Sequence, residues 1–431
     1  MSAPVFERLA IVNPKRHADI AYFDSDLFPY YAGYSAAFTT QLLQSADLTE
    51  EALVLDPWNG AGTTVQAAHK LGLQSFGLDL NPAMVIVAKA GLLSSREVPS
   101  LVPLAESIIE HASEHAGLAN DPLEKWLSAE SAEWIRCLES EINKTLVSHE
   151  NYRPLTLGNA VNNVSSLAAF FYVALFRSVR RLLASFIPTN PTWVKSPKTA
   201  RERRRPSEAT INEGFVSEVR QLADTVRASA LLEEATATIS LGTSERIPLS
   251  GGTADFILSS PPYCTRIDYA MATAIELAVL RAGIKEFDSL RRSLMGTSTV
   301  EAAGWASYAD WGSTCTKFLG KLYAHRSKAS QGYYYKSHLQ YFDSLYRSIR
   351  DISRVLKPNA LCVLVVQDSH YKEIHNDVPT IAVEMAANCG LGLCRCENFR
   401  VENSMVQINK RAKKYLKNRE EKESVLCLVK H

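Results

Sequence analysis

The sequence predicts an α/β protein, a doubly wound parallel sheet interrupted by a helical insertion. Three observations carry this expectation. Between Ala52 and Asp79 an apolar run meets a glycine-rich turn, a helix and a second strand. Residues 101–234 then read as amphipathic helices with no buried strand. From Thr236 onward the alternation of strand and helix resumes. Strands alternating with helices imply parallel pairing with both faces covered.

The elements follow in order. Residues 52–55 have a strand's length and end in Asp56-Pro57-Trp58-Asn59-Gly60-Ala61-Gly62-Thr63-Thr64. A helix is expected over 63–71, stopped by Gly72, and a strand over 75–78 ending at Asp79. Asn81-Pro82 opens the next helix, to Ala90, with proline in the tolerated first turn. Helices are expected at 101–116, 122–147, 164–186 and 213–232. Strands are expected at 236–241 and 255–258, then a helix at 270–282 and a tyrosine-rich stretch over 291–341. A helix at 341–355, a turn at Lys357-Pro358-Asn359 and an apolar strand at 361–366 come next. A helix at 381–389 and strands at 393–399 and 424–429 complete the chain. The expected organisation is a discontinuous domain, 1–100 and 235–431, with insertions at 101–234 and 291–340.

Composition narrows the class. Of 431 residues, 46% are hydrophobic and 22% charged, enough apolar material for a sizeable core. The 47 basic and 46 acidic residues exclude a histone-like coat of positive charge but leave room for a local patch. The eight cysteines are scattered, and Cys394 and Cys396 are too close for the usual zinc pair. They read as reduced thiols of a cytoplasmic protein, with no metal expected. No apolar segment follows Ser2 to Arg8, so no signal peptide is expected. The most apolar stretch, 167–176, is cut by Arg177, Arg180 and Arg181, short of the ~20 residues a membrane span needs.

A strand that enters a helix through Gly-x-Gly is a nucleotide-binding device. Glycine lets the ligand approach the backbone, and the helix start offers free amides. Gly60 and Gly62 form the pair, Val65 stands where a third glycine would fall, and no Gly-Lys-Ser/Thr follows, which excludes a P-loop. Asp79, at the end of the next strand, can accept from both hydroxyls of a ribose.

Ser260-Pro261-Pro262-Tyr263 follows the apolar run Phe256-Ile257-Leu258. Two prolines stiffen the chain and remove two backbone donors, leaving nearby carbonyls free to accept. With a serine hydroxyl and a tyrosine ring, the set suits the exocyclic amine of a flipped base.

These residues resemble a known family. Asp56 to Thr64 is similar to the Asp-Pro-Phe-x-Gly-x-Gly-Thr motif of amino-methylating DNA methyltransferases, and Ser259 to Tyr263 to their catalytic motif. Phe28-Pro29-Tyr30-Tyr31 resembles the aromatic segment beside the methyl donor, and Arg354 to Pro358 with the strand after it also matches. The resemblance covers residues 20–95 and 235–431. It implies a Rossmann-like methyltransferase sheet and S-adenosylmethionine as cofactor. Tyr30, Asp56, Pro57, Trp58, Gly60, Gly62 and Thr63 would hold the donor, and Asp79 its ribose. Ser260 and the Pro261 carbonyl, in a rigid frame with Pro262, would accept from the target amine, and Tyr263 would stack on the base.

The family's Gly-Asp-Ala after the third strand is Gly242-Thr243-Ser244 here. The acid facing the adenine amine is absent, with Thr243 in its place or the donor held more loosely. Serine before Pro-Pro-Tyr leans, by resemblance, toward cytosine N4, with adenine N6 the alternative. Base amino-methylation in RNA and a catalytically silent DNA-binding module are the further alternatives.

Double-stranded DNA with the target base flipped is the expected partner, with a restriction or phage-defence partner left open. The expected contacts are Lys195, Lys198, Arg201, Arg203, Arg204 and Arg205, beside Trp193. A second basic run, 410–417, reads as a surface loop. His111 and His115 lie one helical turn apart without a third ligand. Cys264 follows Pro-Pro-Tyr, out of the order a Pro-Cys nucleophile requires. Asp268-Tyr269 is placed either in the pocket or in the core, and Asp368 at the active-site edge of the sheet.

Overall fold

The computed structural model describes residues 4–15, 27–29, 33–112, 120–149, 151–156, 158–188, 193–228, 235–264, 267–297, 299–300, 308–401 and 421–431. The strands are β1 (Leu53–Asp56), β2 (Gln74–Asp79), β3 (Ala237–Leu241), β4 (Ala254–Ser259), β5 (Leu356–Gln367), β6 (Ser369–Tyr371), β7 (Ile374–Asn376), β8 (Leu391–Arg400) and β9 (Lys422–Lys430). Seven of them make the main sheet, in the order β3-β2-β1-β4-β5-β9-β8. The first five in that order are parallel, and β9 is antiparallel to both its neighbours. The chain winds outward from β1 through β2 to β3, then returns to place β4 on the other side of β1. This is the doubly wound, Rossmann-like α/β sheet expected from the sequence. Its order reverses between β1 and β4, where such sheets open a crevice at their carboxyl ends.

Side-chain alternation divides the core. Val54, Phe256, Leu258, Val363 and Val365 meet the helices Ala36–Gln44 and Thr63–Lys70. Leu55, Ile257, Cys362, Leu364 and Val366 meet Gly312–Ala324, Tyr335–Val355 and Val378–Asn388. A strand's period of two sends neighbouring residues to opposite faces.

The chain between β2 and β3 forms helices Val98–His111, Ala129–Asn143, Ser166–Leu182 and Glu208–Ala228. They share one core with Pro82–Ala90 and with Ala274–Val279, the latter beyond the Ser260–Tyr263 loop. Buried charges lock this contact. Arg136 pairs with Asp121 and Glu139 and donates to the carbonyls of Ala278 and Val279. Arg180 pairs with Glu276 and donates to the Ala272 carbonyl.

Several expected elements differ. The helix over 270–282 is two helices, Tyr269–Ala272 and Ala274–Val279. Thr273 stands at the break, its hydroxyl bonded back to the Tyr269 carbonyl and accepting from Asn81 Nδ2 at 2.8 Å. Side-chain bonding of this kind competes with helix continuation. The expected turn at Lys357-Pro358-Asn359 lies inside β5 as a bulge, between the pairs Ala254↔Leu356 and Phe256↔Leu361, with Asn359 at φ +62°. The tyrosine-rich stretch contains Gly312–Ala324 and a π-turn, Ser330–Tyr334, that feeds the longer helix Tyr335–Val355. The antiparallel hairpin of β6 and β7, without a sequence signal, follows β5. Among the described residues no helix is long and apolar enough to cross a membrane.

Candidate active site and nucleic-acid interface

The carboxyl ends of β1, β2, β3 and β4 surround one cleft of about 1020 Å³, open mouth included. Its walls bring together Asp56, Pro57, Trp58, Gly60, Thr63, Asp79, Thr243 and the whole Ser260-Pro261-Pro262-Tyr263 loop. Tyr30 and residues 410–417 lie outside the described residues.

Asp56 ends β1 inside the sheet. It accepts from the Ser259 hydroxyl at the end of β4, from the Trp58 amide at 3.2 Å and from the Tyr34 hydroxyl at 3.3 Å. Tyr34 also reaches Thr64 Oγ1 and the Leu258 carbonyl. This web ties the strand ends on both sides of the switch point. Burial pushes the Asp56 carboxyl up to about 6 against these donors.

Asp79 ends β2. Its two oxygens accept from the amides of Gly60 at 2.9 Å and Asn81 at 2.8 Å, and burial raises its pKa to about 6. Gly60 has φ +49°, a conformation that lets the turn fold its amide onto Asp79. Each carboxylate oxygen retains acceptor capacity, as a ribose diol requires.

The two glycines have different places. Gly62 is absent from the cleft wall. At φ +85° it caps Thr63–Lys70, and a Cβ there would stand 2.9 Å from Ala88 Cβ. It allows two helices to approach.

In the Ser-Pro-Pro-Tyr loop, the Pro262 carbonyl accepts from the Tyr341 hydroxyl at 2.9 Å, and the Tyr263 amide donates to the Tyr269 hydroxyl at 3.2 Å. Ser260 Oγ and the Pro261 carbonyl take no hydrogen bond among the described residues. Thr243 Oγ1 accepts from the Glu245 amide at 3.2 Å, closing its own turn. Glu245 also lines the cleft and pairs with Arg347 at 3.1 Å.

The cleft's residues fit the nucleoside donor that the resemblance implies. Asn59 adds a further indication. It lines the cleft, is 4% exposed, and neither end of its carboxamide has a partner among the described residues. Such buried, unmet polar atoms are costly without a partner.

The basic segment is pinned by its backbone. The Lys195 amide donates to the Phe186 carbonyl at 2.8 Å, Trp126 Nε1 donates to the Lys195 carbonyl at 2.8 Å, and Arg204 bridges Leu127. Lys195, Lys198, Arg201, Arg204 and Arg205 are exposed, and Arg203 is half-buried. None forms an ion pair among the described residues. Trp193 is 46% exposed. Trp126 and Leu127, which hold Lys195 and Arg204, follow the turn Pro122–Lys125, and that turn packs against Ala274–Val279. The segment is therefore anchored to elements that pack on the helix beyond the Ser260–Tyr263 loop.

Other candidates resolve into structural roles. Asp268 caps Tyr269–Ala272 and pairs with Arg291 at 2.6 Å, whereas Tyr269 lines the cleft. Asp368 pairs with His375 and accepts from the Lys422 amide, away from the cleft wall. Burial pushes the Cys264 thiol up to about 12. His111 Nδ1 lies 2.8 Å from the Ser107 carbonyl, and His115 is outside the described residues. Phe28 is buried beneath the Arg180 guanidinium, 5.4 Å from its ring centre, rather than on the cleft wall. Tyr34, Tyr341 and Glu245 are additional to the residues expected from sequence, because no local pattern marks them.

No protein-family model matches the chain. It is 22% identical over 299 residues to the Type II methyltransferase M.BsoBI of Geobacillus stearothermophilus, covering 63% of this chain and 55% of that one. The chain thus matches about half the length of this relative. The rRNA methyltransferase aviRa of Streptomyces viridochromogenes aligns with 96% of each chain at 10% identity and a TM-score of 0.31. A structure of SAM-dependent methyltransferases from Methanosarcina mazei aligns with 50% of this chain and 78% of its own, at 10% identity and a TM-score of 0.21. At such scores the likeness carries no weight of its own; strand order and cleft geometry do.

Proposed function

We propose that this chain is an S-adenosylmethionine-dependent methyltransferase acting on the exocyclic amine of a flipped base in DNA, cytosine N4 foremost. One observation carries the reading. Among the described residues, Ser260 Oγ and the Pro261 carbonyl stand as two unclaimed acceptors on a cleft that also holds Asp79 and Gly60. The Type II methyltransferase relative agrees with the reaction class.

Bound S-adenosylmethionine supplies an electrophilic methyl group. Asp79 accepts from the ribose hydroxyls. Ser260 Oγ and the Pro261 carbonyl accept the two N–H bonds of the target amine and aim its nitrogen at that methyl. As positive charge develops on the nitrogen, these fixed oxygens stabilise it, and alignment lowers the barrier further. The new nitrogen–carbon bond would replace the methyl–sulfur bond of the donor, whose electron pair stays on the departing neutral thioether, S-adenosylhomocysteine, and the methylated nitrogen would return one proton to solvent. Tyr263 stacks on the base, and the segment from Trp193 to Arg205 meets phosphates.

Nucleoside mass spectrometry on DNA from cells expressing the wild type, beside Tyr263→Ala, tests this. N4-methylcytosine in the wild type alone is the expected result. N6-methyladenine would keep the chemistry and replace the base. Modified bases in RNA but not DNA would replace the substrate, and none in either would overturn the enzyme reading.

A further inference from the structure

A second positive surface lies between the catalytic loop and β5. From Gly312 to Lys336 the chain carries Lys317, Lys321, Arg326, Lys328 and Lys336 and no acid. The whole protein is almost neutral, so this run is a local concentration. All five side chains are exposed, and none forms an ion pair among the described residues. Like charges held together repel, and an ordinary solvated face mixes signs.

The segment is firmly built. The helix Gly312–Ala324 buries Cys315, Phe318, Leu319 and Leu322. The turn after it, which carries Arg326 and Lys328, is fastened to the β6–β7 hairpin. Ser327 Oγ lies 2.6 Å from the Tyr371 hydroxyl, His325 Nε2 lies 2.8 Å from Glu373, and the Tyr334 and Tyr371 rings are 4.6 Å apart. Tyr323, 52% exposed, meets the edge of Tyr335 at 5.1 Å, next to Lys336.

This lobe also touches the catalytic loop. Asn376 Nδ2, on the hairpin, lies 3.5 Å from Cys264 Sγ. Tyr341, on the helix that follows the π-turn, holds the Pro262 carbonyl. The lobe covers the sheet face of Leu55 and Ile257. The helical insertion instead hangs on Pro82–Ala90, beside the helix that covers the face of Val54 and Phe256. Two basic surfaces therefore rise from different faces of the sheet, and both are tied to the elements around the Ser260–Tyr263 loop.

We propose that the lobe formed by Gly312–Lys336 and the β6–β7 hairpin is a second duplex-DNA contact surface, with Arg326, Lys328 and Lys336 on the phosphate backbone. Exposed cations interleaved with tyrosines match phosphates and sugars. A duplex bridging the cleft needs contacts on both sides to hold its register while a base leaves the stack. The inference rests on the DNA reading above.

The test is fluorescence anisotropy of a labelled DNA duplex with the full chain across a salt series. The wild type is compared with the triple variant Arg326→Ala, Lys328→Ala, Lys336→Ala. Unfolding temperature and the thermal shift caused by S-adenosylmethionine serve as controls. The proposal expects weaker binding and a log–log salt slope shallower by about 1 for each phosphate that the variant leaves unneutralised, with both controls unchanged. Wild-type slope and affinity in the variant would overturn this surface while leaving the DNA reading intact. Absence of salt-dependent duplex binding by the wild type would overturn both. Weakening seen only with a structured RNA probe would overturn the choice of DNA.

Discussion

The Tyr341 hydroxyl donates to the Pro262 carbonyl at 2.9 Å, joining the helix Tyr335–Val355 to the loop that ends β4. Neither proline can anchor that loop through an N–H. Tyr341 does so from outside, and burial holds its phenol well above the usual range, so it stays a donor. Tyr341→Phe keeps the ring and removes the bond. We expect the methyl-transfer kcat to fall about tenfold, the worth of one hydrogen bond of ~1.4 kcal/mol in the positioning of Pro261, with donor affinity unchanged. Single-turnover kinetics beside calorimetric titration of the donor separates the two. An unchanged kcat would show that the loop is fixed without this bond.

Asp79 sets a pH dependence with opposite signs for folding and for binding. Its folded pKa is raised by burial from 3.8 to about 6. Its contribution to stability is thus fully present below the unfolded value and lost as pH rises through about 6, because the folded state holds the proton more tightly. On the proposed reading, donor binding needs the carboxylate. Affinity for S-adenosylmethionine should therefore decline as pH falls through about 6, by ~tenfold per pH unit below it. Titrations from pH 5 to 8 check this, and a flat profile would remove the ribose diol from Asp79.

Much of this was legible in the sequence because it is local. The Asp56–Thr64 turn and Ser260–Tyr263 each lie within one strand-to-loop junction, and parallel order brings the junctions to one edge. Each junction follows a short apolar run that marks its strand. What was not legible depends on distant partners. Tyr34 reaches Asp56 across 22 residues of sequence, and Tyr341 reaches Pro262 across 79. Gly62 could be recognised as a required glycine, but only Ala88 reveals that packing requires it. The break at Thr273 likewise depends on Asn81, outside its own helix.

Gly62→Ala should act on the fold before it acts on the site. The residue has φ +85°, and its added Cβ would stand 2.9 Å from Ala88 Cβ and 3.2 Å from Ala88 Cα. The backbone penalty and the forced separation of two helices together should cost about 1–3 kcal/mol. Chemical denaturation would register this as a lower midpoint with a similar slope. Donor affinity, measured where the variant is folded, should stay within a few-fold. A large drop in affinity at unchanged stability would return Gly62 to the residues that touch the donor.

Arg203, Arg204 and Arg205 should govern nucleic-acid affinity without touching chemistry. Their segment is held by the backbone pairing of Arg204 with Trp126 and Ser128, so the side chains are not what keeps it in place. Replacing all three with alanine should leave the unfolding temperature and donor binding unchanged. Duplex affinity should fall, and the log–log salt slope should become shallower by up to about 3, since each phosphate contact contributes roughly 1. Non-specific and modified sequences should lose affinity alike, because phosphate contacts position the duplex without reading it. Methyl transfer at saturating DNA should then approach the wild-type rate. An identical salt slope would make this run a solvated loop. A lower saturating rate with an identical slope would place its effect at the helices held by Arg180, and so in the support of the Ser260–Tyr263 loop.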